Sequence, residues 1–232
     1  MTDATTLQAG APAAAAPLYL DAYDVLGYQA AIGASTVEVR DAIRRIFQGF
    51  GPVDLGPGMN LPRYTITTTE AGRFVLDANG ASQEDPDVST SLSALEWYVV
   101  TNALVERTDL FQLHGAALCT PAERAGLIIV GDSNSGKSTL GLALTLRGFT
   151  SFSDDVALVD YKTLELQPMK RSFHLADDSR QMLSEFYGHP LRWPDEPAGY
   201  YFPPQWAEAP APVRWVIFLE PQAAPRVPTL ER

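Results

Sequence analysis

At 232 residues, 46% of them hydrophobic, the chain is long enough for one large domain or two small ones with proper cores. Its formal net charge of -11 argues against a broad nucleic-acid footprint, which wants a basic face, and asks any protein substrate for a neutral or basic contact surface. One cysteine, Cys119, rules out an internal disulfide, and no apolar run approaches the roughly 20 residues of a membrane-spanning helix, so a cytoplasmic protein with no membrane or nucleic-acid partner is expected.

Residues 1–17 are rich in Ala, Thr and Pro, lack the basic and apolar regions of a secretory signal, and read as a disordered tail. Residues 18–107 read as a small α+β region. Leu18 to Ile32 mixes aromatic and β-branched residues and predicts one or two strands. Ser35-Thr36-Val37-Glu38 has the form of a capping box, and the helix behind it carries Val39, Ala42, Ile43, Ile46, Phe47 and Phe50 on one face until Gly49 and Gly51 end it. Gly51 to Pro62 is a Gly/Pro-rich loop. Arg63 to Thr69 and Arg73 to Asn79 alternate and predict a hairpin through Glu70-Ala71-Gly72. Ala81 to Thr90 is polar and reads as a loop before a helix from about Ser91 to Arg107.

Residues 108–232 read as a second, catalytic domain. Phe111 to Leu118 is a strand, Thr120 to Gly126 a turn, and Leu127-Ile128-Ile129-Val130 a buried strand. A helix from Thr139 to Leu146 ends at Arg147-Gly148, and the chain is extended from Phe149. Asp177 to Tyr187 predicts a short helix with Met182, Leu183 and Phe186 on one side. His189 to Pro212 reads as a packed loop, and Val213 to Leu219 as a buried strand. The Pro-rich stretch after it suggests a truncated domain, or a last segment supplied by a partner. There are no internal repeats. Cys119 reads as a small buried hydrophobe.

Between the buried strand and the helix stands Gly131-Asp132-Ser133-Asn134-Ser135-Gly136-Lys137-Ser138, followed by Thr139, which fits the phosphate-binding pattern G-x-x-x-x-G-K-[ST] in its required strand–loop–helix setting. Main-chain N–H groups in such a loop face phosphate oxygens, and the helix N-terminus adds partial positive charge. Lys137 can reach the outer phosphates, and the Ser138 hydroxyl can ligate Mg²⁺. ATP and Mg²⁺ are therefore the expected ligands. One connection later comes the acidic pair Asp154-Asp155, where one carboxylate can hold the metal or its waters and the other can take a proton from an attacking hydroxyl. His114 lies in the preceding strand and comes level with the loop if the two strands pair. Arg171, in Met169-Lys170-Arg171-Ser172, is a candidate contact to phosphate or acceptor.

In order, Leu113-His114-Gly115-Ala116, the loop from Gly131 to Ser138, Leu146-Arg147-Gly148-Phe149 and Ser153-Asp154-Asp155 resemble the catalytic domain of HPr kinase/phosphorylase, of the phosphoenolpyruvate-carboxykinase-like group of phosphate-loop folds. The resemblance spans roughly Leu113 to Asp160 and loosens over Leu164 to Glu220. It implies an α/β fold with a mixed sheet, His114 beside the transferred phosphoryl group, and Asp155 at the position of the family's base. It also implies a serine of a peptide or small protein as acceptor, as in the smaller HPr-kinase-related proteins that the region from Leu18 to Arg107 resembles. A homo-oligomer is consistent with it. The family's later segment with a metal-binding glutamate has no clear counterpart, Glu185 being the nearest acid. A small-molecule kinase with an acceptor pocket of Trp193, Tyr200, Tyr201 and Trp206, or a non-catalytic nucleotide-binding module, are the alternatives.

Overall fold

A computed structural model describes residues 19–56, 59–188, 199–203 and 205–220. The tail at 1–17, Trp193 and the stretch after Glu220 lie outside them. The described residues form two compact units, one running to Asp109 and joined by 199–201, the other comprising Leu110 to Gly188 and the rest. Among the described residues the architecture is mixed α/β, with four helices and two six-stranded mixed sheets. No described helix is long and apolar enough to cross a membrane.

In the first unit, β1 (Tyr19–Val25) and β2 (Tyr28–Ala34) form a hairpin. The helix α1 (Val37–Ile46) buries Val39, Ile43 and Ile46. Its cap is Thr36, whose hydroxyl accepts the Val39 N–H at 3.3 Å. Ser35, first residue of the expected box, instead accepts the Thr68 N–H at 2.9 Å and ties the helix entry to a neighbouring strand. A two-residue β3 (Gly51–Pro52) pairs with β1. The strands β4 (Arg63–Thr68) and β5 (Phe74–Ala78) make the expected hairpin.

The polar stretch after them is not a loop but a strand, β6 (Ala81–Asp85), antiparallel to β5. Asn79 (φ 54°) and Gly80 (φ 89°) both take left-handed conformations, so Asn-Gly makes the tight turn that β-hairpins favour. The helix α2 (Val88–Glu106) starts three residues before its expected position, because Asp87 caps it through the Thr90 N–H at 2.9 Å. Its Leu92, Leu95, Val99, Val100 and Ala103 are buried. The sheet order is β3-β1-β2-β4-β5-β6, with only β2 and β4 parallel.

The second unit is organised by one long strand, β7 (Leu110–Cys119). Its second half pairs with β8 (Gly126–Gly131) on one side and β9 (Thr150–Ser153) on the other, while its first half pairs with β10 (Val156–Asp160). From β10 the pairing passes to β11 (Glu165–Gln167), then to β14 (Ala211–Leu219), and back to β8. The circuit closes around Ala117, Cys119, Ile128, Phe152, Ala157 and Leu166, so Cys119 is the buried hydrophobe expected. At Gly115 a Cβ would stand 2.5 Å from the Ile129 carbonyl oxygen, and only glycine lets β8 come this close. Between these strands lie α3 (Lys137–Thr145), a two-residue β12 (Phe173–His174) and α4 (Asp177–Tyr187). The two-residue β13 (Tyr200–Tyr201) belongs to the first unit, where the Tyr200 hydroxyl donates to buried Glu96 at 3.0 Å.

Two expectations about burial fail here. β14 forms, parallel to β8, but Trp215, Val216, Ile217 and Phe218 are exposed, the last at 74%. Beyond Val213, whose N–H bonds the Leu164 carbonyl at 3.3 Å, no described strand pairs with its other edge. In α4 only Leu183 is buried, and Met182 and Phe186 face outward.

Candidate functional site

β8 delivers the chain to Gly131, the loop Asp132 to Gly136 turns it, and α3 carries it away. The turn is tight because Asn134 (φ 62°) and Gly136 (φ 93°) are left-handed and the Ser135 N–H bonds the Asp132 carbonyl at 3.1 Å. Gly136 is the N-cap of α3 and offers no side-chain acceptor, so the first-turn N–H groups have no cap. Lys137 is buried, and its ammonium lies across the loop, donating to the Gly131 and Asp132 carbonyls at 3.0 and 2.8 Å. The Ser135 hydroxyl is buried without a hydrogen-bond partner.

The acidic pair sits in the kink between β9 and β10, and adjacency in sequence does not give the two carboxyls one environment. Asp155 has φ 66°, a conformation that costs a non-glycine residue on the order of 1 kcal/mol. That turn sends neighbouring side chains into different surroundings. Asp154 is 1% exposed. Its Oδ2 accepts the His174 N–H at 3.1 Å, and its Oδ1 has no hydrogen-bond partner. Burial pushes its carboxyl up to about 6, against the opposing pull of the His174 N–H and the Ser138 hydroxyl.

Asp155 is half exposed and doubly held. Its Oδ2 accepts from Arg171 Nη1 at 2.8 Å, and its Oδ1 lies 3.1 Å from His114 Nδ1. The same nitrogen lies 3.1 Å from the Asp155 carbonyl, which also accepts the Gly115 N–H at 3.1 Å. With acceptors on both contacts, Nδ1 carries the proton. His114 reaches this point because β7 and β10 are in register, His114 opposite Val156.

These groups border one cavity of about 420 Å³, lined by Ser133, Asn134, Gly136, Lys137, Ser138 and Thr139 from the loop and α3, by His114 and Asp155, and by His174 to Ala176, Asp178 and Ser179. The structure thus brings Lys137, Ser138, His114 and Asp155 together, with Asp154 behind them. His174, Asp178 and Ser179 were not anticipated. Ser179 is held by the Thr139 hydroxyl at 3.0 Å, and His174 bonds Asp154 through its main chain, which any residue but proline could supply. No sequence signal marks such a contribution. Glu185 is absent from the cavity; it lies exposed on α4, where Gln181 donates to it at 2.9 Å. Of the aromatics expected to line an acceptor pocket, Tyr200 and Tyr201 are buried in the first unit, Trp206 lines a cavity of about 380 Å³ beside Cys119 in the second, and Trp193 is outside the described residues.

No protein-family profile matches the chain. No curated protein matches it either. Among solved structures, the Hpr(Ser) kinase/phosphatase from Coxiella burnetii is similar at 22% identity over 50% of this chain and 64% of that one, with a TM-score of 0.29. The chain thus spans just under two thirds of that structure's length. A likeness of this size assigns neither a fold family nor an activity, and the case for function stands on the cavity's own residues.

Proposed function

We propose that the protein is an ATP- and Mg²⁺-dependent kinase with a phosphate-loop fold of the HPr-kinase type, transferring the γ-phosphoryl group to a hydroxyl, in particular a serine, of a peptide or small protein. One observation carries this reading. An uncapped helix N-terminus, a lysine, a serine hydroxyl and a carboxylate held by a histidine and an arginine border a single cavity, with a second, buried carboxyl immediately behind it. The loop N–H groups and Lys137, released from the loop carbonyls, would cradle the outer phosphates.

The donor set suits Mg²⁺. Ser138 and the unpartnered Oδ1 of Asp154 are hard oxygen ligands side by side, and an orphaned buried carboxyl oxygen is costly unless something binds it. Bound there, Mg²⁺ would neutralise charge on the phosphates. Asp155 would accept the proton of the acceptor hydroxyl as its oxygen bonds the γ-phosphorus and the bond to the leaving ADP oxygen breaks. Arg171, on Oδ2, would hold Asp155 in place for that. Catalysis would be positioning and charge neutralisation above all.

The test is phosphotransfer from γ-labelled ATP and Mg²⁺ to protein extract of the source organism. A labelled band that disappears with Lys137→Ala and with Asp155→Asn is the expected result. Lys137-dependent nucleotide binding without any label would instead leave a non-catalytic nucleotide-binding module.

A further inference from the structure

Both oxygens of Asp155 are engaged, and their partners are not equivalent. The Arg171 side chain is 14% exposed, the His114 side chain 55%. Arg171 is also fixed through its backbone, since its carbonyl accepts the Asp154 N–H at 3.2 Å, and Lys170 before it donates its N–H to the Phe152 carbonyl at 2.8 Å. One residue thus grips both members of the acidic pair, Asp154 by main chain and Asp155 by side chain. His114 stands on a strand whose outer face is open at Phe111 and Leu113, and it borders the cavity directly.

Resting on the kinase reading above, we propose that the clamp on Asp155 is asymmetric: Arg171 is a permanent positioning residue, and His114 an exchangeable partner. A donor already bonded to a carboxylate oxygen takes one of its lone pairs and makes that oxygen a weaker base toward a further proton. Oδ2 stays with Arg171, which opposes the cost of the left-handed backbone at Asp155 and fixes the carboxylate plane. Oδ1 is the oxygen that works. When a nucleotide brings phosphate oxygens into the cavity, the His114 N–H acquires a stronger competing acceptor and leaves Oδ1 open toward the acceptor hydroxyl. The His114 contact therefore covers the base, and the nucleotide uncovers it. Arg171, engaged with Asp155, is not the phosphate contact that its basic neighbourhood suggests.

The experiment uses the full chain, with three readouts. Phosphate release from γ-labelled ATP, with water as acceptor, gives turnover. Titration with a fluorescent ADP derivative gives nucleotide affinity. The ¹⁵N spectrum of the imidazoles, of which the chain has three, reports on His114. Arg171→Met should lower turnover at least 100-fold and leave nucleotide affinity within threefold. Arg171→Lys, which can reach one carboxylate oxygen, should recover at least tenfold of the loss, and circular dichroism verifies that both variants fold. Adding the β,γ-imido analogue of ATP with Mg²⁺ should shift the His114 resonance in the wild type. A loss of nucleotide affinity in Arg171→Met as large as in Lys137→Ala would make Arg171 a phosphate ligand and overturn the proposal, as would unchanged turnover or an unmoved His114 resonance. If the wild type neither binds nucleotide nor releases phosphate, the kinase reading fails. The clamp is then decided by the nucleotide-free spectra, in which Arg171→Met and Asp155→Asn must both shift the His114 resonance, and a silent Arg171→Met sinks it.

Discussion

The two units treat buried polar groups in opposite ways. In the first, they satisfy one another. The Tyr28 and Tyr64 hydroxyls share a hydrogen bond at 2.8 Å, and Asn102 donates to Tyr64 at 2.9 Å. Asp85 accepts from Ser91 at 2.7 Å and from Gln83, and Glu96 accepts from Tyr200. On its surface Asp21 bridges Arg40 and Arg44, and the Arg40 hydrogen bond leads in lowering its carboxyl to about 2. In the second unit the pattern breaks. Every buried side-chain polar atom without a hydrogen-bond partner among the described residues belongs to it: Ser135 Oγ, Ser151 Oγ, Asp154 Oδ1, Ser172 Oγ and Arg180 Nε. Of these, Asp154 Oδ1 lies behind the cavity, and Ser135 belongs to the loop whose Ser133, Asn134 and Gly136 line it. Leaving such a group unpaired costs roughly 1–3 kcal/mol, and a bound water, ion or ligand is what completes it.

The sharpest way to break this contrast is to cross it. Asp155→Asn, in the second unit, should lower phosphate transfer by about 1000-fold with nucleotide affinity nearly unchanged. Tyr64→Phe, in the first, should leave both where they are. Steady-state kinetics with a binding titration would decide it, and a Tyr64→Phe variant that loses turnover would erase the division of labour.

Within the second unit, β8 and β14 are paired, parallel and equally apolar in sequence, yet only β8 is enclosed. Ile129→Ala should therefore cost about 3 kcal/mol in urea unfolding, whereas Phe218→Ala should cost under about 1. Equal losses would mean that β14 is covered in solution.

Asp154 offers a test through pH. Its carboxyl titrates near 6 in the folded chain against 3.8 as the reference value, so the folded state holds its proton more tightly. Its contribution to stability is intact below about pH 3.8 and is lost as the pH rises through about 6, a loss of up to roughly 3 kcal/mol. Asp154→Asn carries no charge to bury, so it should be more stable than the wild type at pH 8 and similar at pH 4, while losing Mg²⁺-dependent turnover. Thermal melts across that range would show it, and wild-type stability at pH 8 should rise with added Mg²⁺. The smallest effect belongs to the first unit, where Tyr64→Phe should cost about 1 kcal/mol by leaving Tyr28 and Asn102 without their shared partner. No measurable loss would show that the network closes without it.

Where local chemistry dictates local structure, the sequence alone was enough. The apolar run Leu127 to Val130, the glycines around Asp132 to Ser135 and the helix-forming run after Lys137 specify strand, turn and helix whatever surrounds them. The hairpin through Glu70-Ala71-Gly72 and the helix from Asp177 were legible for the same reason. The missed strand β6 was legible too, since Asn79-Gly80 announces a hairpin even before polar residues.

Tertiary structure decided what depends on neighbours distant in the chain. An apolar strand is buried only if something covers it, and nothing in Val213 to Leu219 says whether anything does. Two adjacent aspartates look alike in a sequence. The left-handed turn at Asp155, and the segments carrying His114, Arg171 and His174, make one a buried carboxyl titrating near 6 and the other a half-exposed carboxylate held between His114 and Arg171. Burial and pairing are properties of the assembled interior, so the chain could name both residues, but only its folding could give them different work.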